Sequence, residues 1–147
     1  MTIRAGRVIR NANGGLISAF VINLGHGTNN QAEGMGLLHS LRIVANLDLV
    51  HVDLELDSII VLQWIKNLRC GLWYFEDYWE EITTILAGLN FNISHIYRQG
   101  NSPADFLARI GANGYSCIWN KFSDLPFLLK GLLKIDKLGQ PYLKIKN

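Results

Sequence analysis

Thr28-Asn29-Asn30-Gln31-Ala32-Glu33 is the stretch on which the reading of this chain turns. It marks a change of period. Ahead of it the pattern is strand-like. Behind it Ala32, Met35, Leu38, Leu41 and Ala45 recur at helical spacing. A helix from roughly Gln31 to Asn46 follows, with Asn29 or Asn30 capping its first turn and Gly34 and Gly36 weakening it locally. Taken alone, the hexad is an N-cap with a surface glutamate that complements the helix dipole. A polar loop that opens a helix also sets side-chain amides and free backbone N–H groups beside a carboxylate.

Working backward, Arg7 to Arg10, then Asn11-Ala12-Asn13-Gly14-Gly15, then Leu16 to Ile22 form a β-hairpin, because Asn-Gly readily supplies the positive φ angles of a tight turn. Working forward, Val50 to Leu56 alternates apolar Val52, Leu54 and Leu56 with polar His51, Asp53 and Glu55, the period of a strand with one buried face. Asp57 falls just past its end. Ser58 to Asn67 is a second helix, for which Asp57 alone would serve as an N-cap. Phe75, Tyr78, Trp79, Ile82, Ile85, Leu86 and Leu89 give a third, strongly amphipathic one. Phe91 to Ile96 returns to strand-like alternation and contains His95. After the polar loop Arg98 to Ser102, a short helix from Pro103 to Ile110 carries Asp105 in its first turn. Leu128, Leu129, Leu132 and Leu133 share one further helix, and a lysine-containing tail ends the chain. No internal repeat or low-complexity linker interrupts this order. The expected organisation is a domain over 1–110 with an extension, 111–147, packing on it.

The chain has 147 residues, 49% of them hydrophobic and 18% charged, which suits one folded domain and argues against disorder. A formal charge of +2 and a pI near 8.6 are compatible with nucleic acid but fall short of the basic footprint that would identify it. Cys70 and Cys117 stand far apart without metal-ligand spacing and read as reduced thiols, so a zinc site or disulfide scaffold is not expected. The first residues contain no apolar signal region, and no apolar run has the length of a membrane span. An intracellular protein is expected, with nucleus and cytoplasm left open. The sequon Asn92-Ile93-Ser94 lies in an expected strand and is taken as chance.

Glu33, Asp57 and Asp105 are three acids placed at a helix start, a strand end and a last helix, with His95 ten residues before Asp105. Hydrolysis of a phosphodiester by two divalent ions about 4 Å apart needs several carboxylates converging on one point. The element order β-β-α-β-α-α-β-α with these acids resembles the ribonuclease H superfamily. More closely, it resembles the plant type 1 ribonuclease H-like domains, many of them retroelement-related. The resemblance covers about Ala5 to Ile110, and Asp124 to Tyr142 also looks like the extension that follows this domain in plant members. It implies an α/β fold, a ribonuclease H-like mixed β-sheet of a hairpin plus parallel strands flanked by helices. It implies metal-dependent endonucleolytic hydrolysis of RNA in RNA:DNA hybrids, with Glu33, Asp57 and Asp105 as ligands of Mg²⁺ or Mn²⁺ in a two-metal site. His95 would manage protons, and Thr28, Asn29 and Asn30 would contact the hybrid. No membrane and no small-molecule cofactor is implied.

The departure from the family pattern is the first, central strand and its Asp-Gly, whose acid bridges the metals. Only about six residues precede the hairpin, and none is Asp or Glu. The expected domain is therefore an N-terminally truncated member with four strands instead of five. Its exposed edges would close on each other or recruit Met1 to Arg4 or the C-terminal segment. An incomplete acid set would weaken metal binding, which leaves a non-catalytic nucleic-acid-binding module or a retroelement-derived remnant as the alternative. The basic hybrid-binding protrusion is missing, since Leu68 to Trp73 contains one basic residue, Arg69.

Overall fold

The hairpin is longer than its apolar pattern indicates, pairing β1 (Thr2–Asn11) with β2 (Leu16–His26) antiparallel from Thr2↔His26 to Arg10↔Leu16. A computed structural model describes residues 2–56, 58–95, 106–107, 116–136 and 143–146 of the chain. At the hairpin tip only Gly14 takes a positive φ, 81°, whereas the sequence pattern assigned that role to the Asn-Gly pair. Asn11 supplies the rest of the turn: its Oδ1 accepts from the backbone N–H of Asn13 at 3.0 Å and of Gly15 at 2.8 Å. This Asx-type bonding replaces a second left-handed residue.

The first helix, α1, spans Asn29–Asn46, and its cap is Thr28, not Asn29 or Asn30. Thr28 Oγ1 accepts from the Gln31 N–H at 3.2 Å, and the Thr28 N–H donates to Gln31 Oε1 at 2.8 Å. Two orphan donors are thereby satisfied at once, a bonus that an asparagine one residue later could not share. The chain continues through β3 (His51–Leu56), α2 (Ile59–Asn67), a 3₁₀ turn at Trp73–Phe75, α3 (Glu76–Ala87) and β4 (Asn90–His95). Beyond the helical pair Phe106 and Leu107 come β5 (Cys117–Trp119), α4 (Phe127–Asp136) and β6 (Leu143–Lys146).

Among the described residues these strands make one six-stranded sheet in the order β4-β3-β6-β1-β2-β5, not the four expected. Both additional strands come from the C-terminal extension. β5 adds to the free edge of β2, and β6 inserts between β1 and β3. The insertion is one of the outcomes anticipated for a missing central strand, and its driving force is the two rows of backbone groups that would otherwise lack partners. β6 runs parallel to β1, with Ile9↔Leu143 to Asn11↔Ile145, and antiparallel to β3, with His51↔Lys146 to Asp53↔Lys144. The antiparallel hairpin and the parallel β3–β4 pair match the expected mixed sheet.

Alternation along β1 and β2 sends side chains to two separate cores. Ile9 and Phe20 join Leu37, Leu38 and Leu41 of α1, Val52, Leu54 and Leu56 of β3, and Trp64, Trp79 and Ile82 of α2 and α3. Val8, Ala19 and Val21 face the other way, onto Leu107, Leu125, Leu129 and Leu133. Arg10, 1% exposed, lies on this second face and donates from Nη2 to the Leu133 carbonyl at 3.1 Å, placing a cation at the last turn of α4. Cys70 is buried and Cys117 half-buried, both as free thiols. Among the described residues, no helix is long and apolar enough to cross a membrane.

Candidate nucleic-acid interface

Two helix N-termini meet at the expected site. Ser58 caps α2, its Oγ accepting from the Val61 N–H at 3.2 Å, and the same hydroxyl reaches Asn30 Oδ1 at 3.4 Å. That distance is long for a hydroxyl donor, so its content is proximity more than energy. It joins the Thr28–Glu33 segment to the residue that follows Asp57, although 28 positions separate them in sequence. Thr28 and Asn29 are exposed and Asn30 is half-buried. With Thr28 and Gln31 held in the capping box, the exposed Asn29 and half-buried Asn30 amides stand beside two helix starts whose remaining N–H groups suit an anionic ligand.

His95 ends β4, and the parallel register pairs it with Leu56, the last residue of β3. It is exposed at the sheet end that leads to Asp57. Asp57 itself lies outside the described residues, as does Asp105, which directly precedes the helical pair Phe106 and Leu107. Thus the structure brings Asn30, Ser58 and, through the β3–β4 register, His95 to one end of the sheet.

Glu33 has a partner that sequence reading missed. Arg7, on β1, places Nη2 at 2.6 Å from Glu33 Oε2, with the two side chains 21% and 12% exposed. Its Nη1 donates to the Gly6 carbonyl at 2.7 Å. Gly36, one turn along α1, leaves the room: a Cβ there would stand 2.8 Å from both Cζ and Nη2 of Arg7. The signal was present in the alternation of β1, since Arg7 shares a face with Ile9, and a charge on a core-facing position needs a counter-charge.

Members of the ribonuclease H superfamily use divalent metals, and Glu33 is the one expected ligand among the described residues. A guanidinium already in contact with its oxygen does not fit a divalent cation at that carboxylate. Among the described residues no group of three or more His, Cys, Asp or Glu side chains is placed to hold a metal.

Residues 2–111 match the family model described as "Reverse transcriptase-like". The chain is 27% identical over 146 residues to an Arabidopsis thaliana protein named "Putative ribonuclease H protein At1g65750", covering 92% of this chain and 22% of the relative. It therefore spans about a fifth of that relative's length. Among solved structures it is similar to RNase H1 from the halophilic archaeon Halobacterium salinarum, with a TM-score of 0.57 and 20% identity over 78% of this chain and 98% of the other. The N-terminal RNase H domain of rv2228c from Mycobacterium tuberculosis, solved as a fusion with maltose-binding protein, gives 0.57 and 18% over 74% and 96%. At those identities the likeness is one of fold. The family match covers most of the chain, and with this sheet and these relatives it settles the assignment: the chain belongs to the reverse-transcriptase-like family of ribonuclease H-superfamily domains.

Proposed function

We propose that this chain is a nucleic-acid-binding ribonuclease H-like domain that engages an RNA:DNA hybrid where α1 and α2 begin. The observation that carries the reading is the contact between Asn30 and Ser58, which sets two helix N-termini side by side. Thr28, Asn29 and Asn30 would contact the hybrid backbone and 2′-hydroxyls across its minor groove, where a hybrid is distinguished by shape and sugar. With a net charge of only +2, affinity is modest and falls with salt.

Cleavage is the second reading, favoured by the register that brings His95 beside the end of β3. In that reading Glu33, Asp57 and Asp105 hold Mg²⁺ or Mn²⁺ and His95 manages protons, as the family does. The pairing of Glu33 with Arg7 weighs toward binding without cutting. A retroelement-related origin is compatible with either.

The test titrates a labelled RNA:DNA hybrid in EDTA and follows its integrity in Mg²⁺ and Mn²⁺, with Asp57→Asn as control. Hybrid binding that Asn30→Ala weakens by about 5- to 10-fold, roughly one lost polar contact, supports the proposal. Equal affinity for hybrid and for a polyanion of matched charge would sink it. Metal-dependent cleavage abolished in Asp57→Asn would move the assignment to the second reading.

A further inference from the structure

We infer that Arg7 is a built-in counter-cation that occupies Glu33 and keeps this carboxylate from a divalent metal. The inference rests on the proposed placement of Glu33 in the family's site. Three independent features hold the guanidinium there. Its Nη2 is 2.6 Å from Glu33 Oε2, its Nη1 is fixed by the Gly6 carbonyl at 2.7 Å, and its planar head lies where only a glycine at position 36 leaves space. The pair is largely buried, so solvent screens it little. An arginine keeps its charge across the working pH range, so the guanidinium does not make way by losing a proton. A divalent ion approaching Glu33 meets a fixed positive charge and must displace it from its contacts with Glu33 and the Gly6 carbonyl.

Arg7 therefore determines what binds at this carboxylate: a hard cation when the guanidinium is removed, the protein's own side chain when it is present. Mn²⁺ is the probe, because its free concentration is read directly from its paramagnetic resonance signal. The wild-type chain, Arg7→Met, Arg7→Lys and the double variant Arg7→Met/Glu33→Gln are titrated with Mn²⁺. Arg7→Met is expected to bind Mn²⁺ at least tenfold more tightly than the wild type, and the double variant to lose that gain. Arg7→Lys should stay near the wild type, because it retains a cation at the site. Identical Mn²⁺ affinities in the wild type and Arg7→Met would overturn the inference, as would a gain that persists in the double variant. If circular dichroism shows Arg7→Met unfolded, Gly36→Ala makes the same test, since its Cβ displaces the guanidinium while leaving both charges in the chain.

Hybrid binding by the wild type in EDTA is measured alongside and involves no metal. Absence of hybrid binding by the wild type, together with tighter Mn²⁺ binding by Arg7→Met, defeats the proposed function alone. Intact hybrid binding with unchanged Mn²⁺ affinity defeats the counter-cation alone.

Discussion

His39 lies half-buried on α1 with its ring 6.1 Å from that of Phe20, and burial followed by the neighbouring Arg42 charge pushes its pKa below the ordinary 6.5, against an opposing pull from Glu81. The unfolded chain thus takes up a proton as pH falls below about 6.5 that the folded chain refuses, so this contribution to stability is present above that pH and lost beneath it. Glu81 titrates in a separate window. Its carboxylate, bound by Arg42 through both oxygens with Nη2 at 2.8 Å, is held below the usual 4.5, so its contribution is present above 4.5 and lost as pH falls further. In thermal melts across pH 3 to 8, His39→Gln should flatten the decline that begins near 6.5, whereas Glu81→Gln should flatten the part below 4.5 and deepen the His39 part, whose opposing pull it removes; a single variant that flattened both would contradict the separation. Gly34 makes a steric prediction at the same scale, because a Cβ there would sit 2.7 Å from Phe75 Cζ. The gain in helix propensity from Gly34→Ala, about 1 kcal/mol, is outweighed by overpacking of about 1–3 kcal/mol. A Cβ on Gly88 would meet only the Ile85 carbonyl oxygen, at an ordinary 3.6 Å, and its φ is an ordinary −90°. Urea denaturation should therefore find Gly34→Ala less stable by about 1 kcal/mol and Gly88→Ala neutral or stabilised.

At the level of elements, the hairpin, α1, β3, α2, α3 and β4 were legible because each carries its own periodicity over six or more residues. The bounds moved by a few residues where capping or strand pairing decided them, as with Thr28 and with the N-terminal half of β1. The identity of the strand that fills the centre of the sheet was not legible. Leu143-Lys144-Ile145-Lys146 alternates as countless tails do, and its position and direction follow from two distant edges that lack a partner, not from its own composition. The same holds at the site: the acids stand in motifs, while the Arg7 partner of Glu33 becomes visible only when β1 and α1 pack. β6 pairs with three residues on each side, and Ile145 sits between Asn11 and Val52. Ile145→Pro deletes an N–H from a strand with neighbours on both flanks, a loss of about 2–3 kcal/mol, or roughly 5–10 °C in Tm for a chain of this size. An unchanged Tm, with unchanged amide exchange in β1 and β3, would mean that β6 does not occupy the slot in solution.

For the whole molecule, the sheet is the wall between two cores, and most of the cover of the second comes from the extension. Val8, Ala19 and Val21 are at most 4% exposed because Leu125, Leu129 and Leu133 cover them, and Arg10 fixes the end of α4 to the same face. Stability in a chain this size is a small difference between large terms, so uncovering one face of the hairpin removes a sizeable fraction of it. Two truncations separate the contributions. A chain of residues 1–136 keeps the second core and loses β6, leaving the facing edges of β1 and β3 open; residues 1–110 lose both the cover and the strand. Urea unfolding followed by near-UV circular dichroism should give a cooperative transition at a lower midpoint for 1–136. Residues 1–110 should show no cooperative transition and should bind a hydrophobic dye, as expected of a collapsed chain without fixed packing. If 1–110 instead unfolded cooperatively at the midpoint of the full chain, α4 and β6 would add nothing to stability, and the central slot would have to be satisfied by residues before position 111.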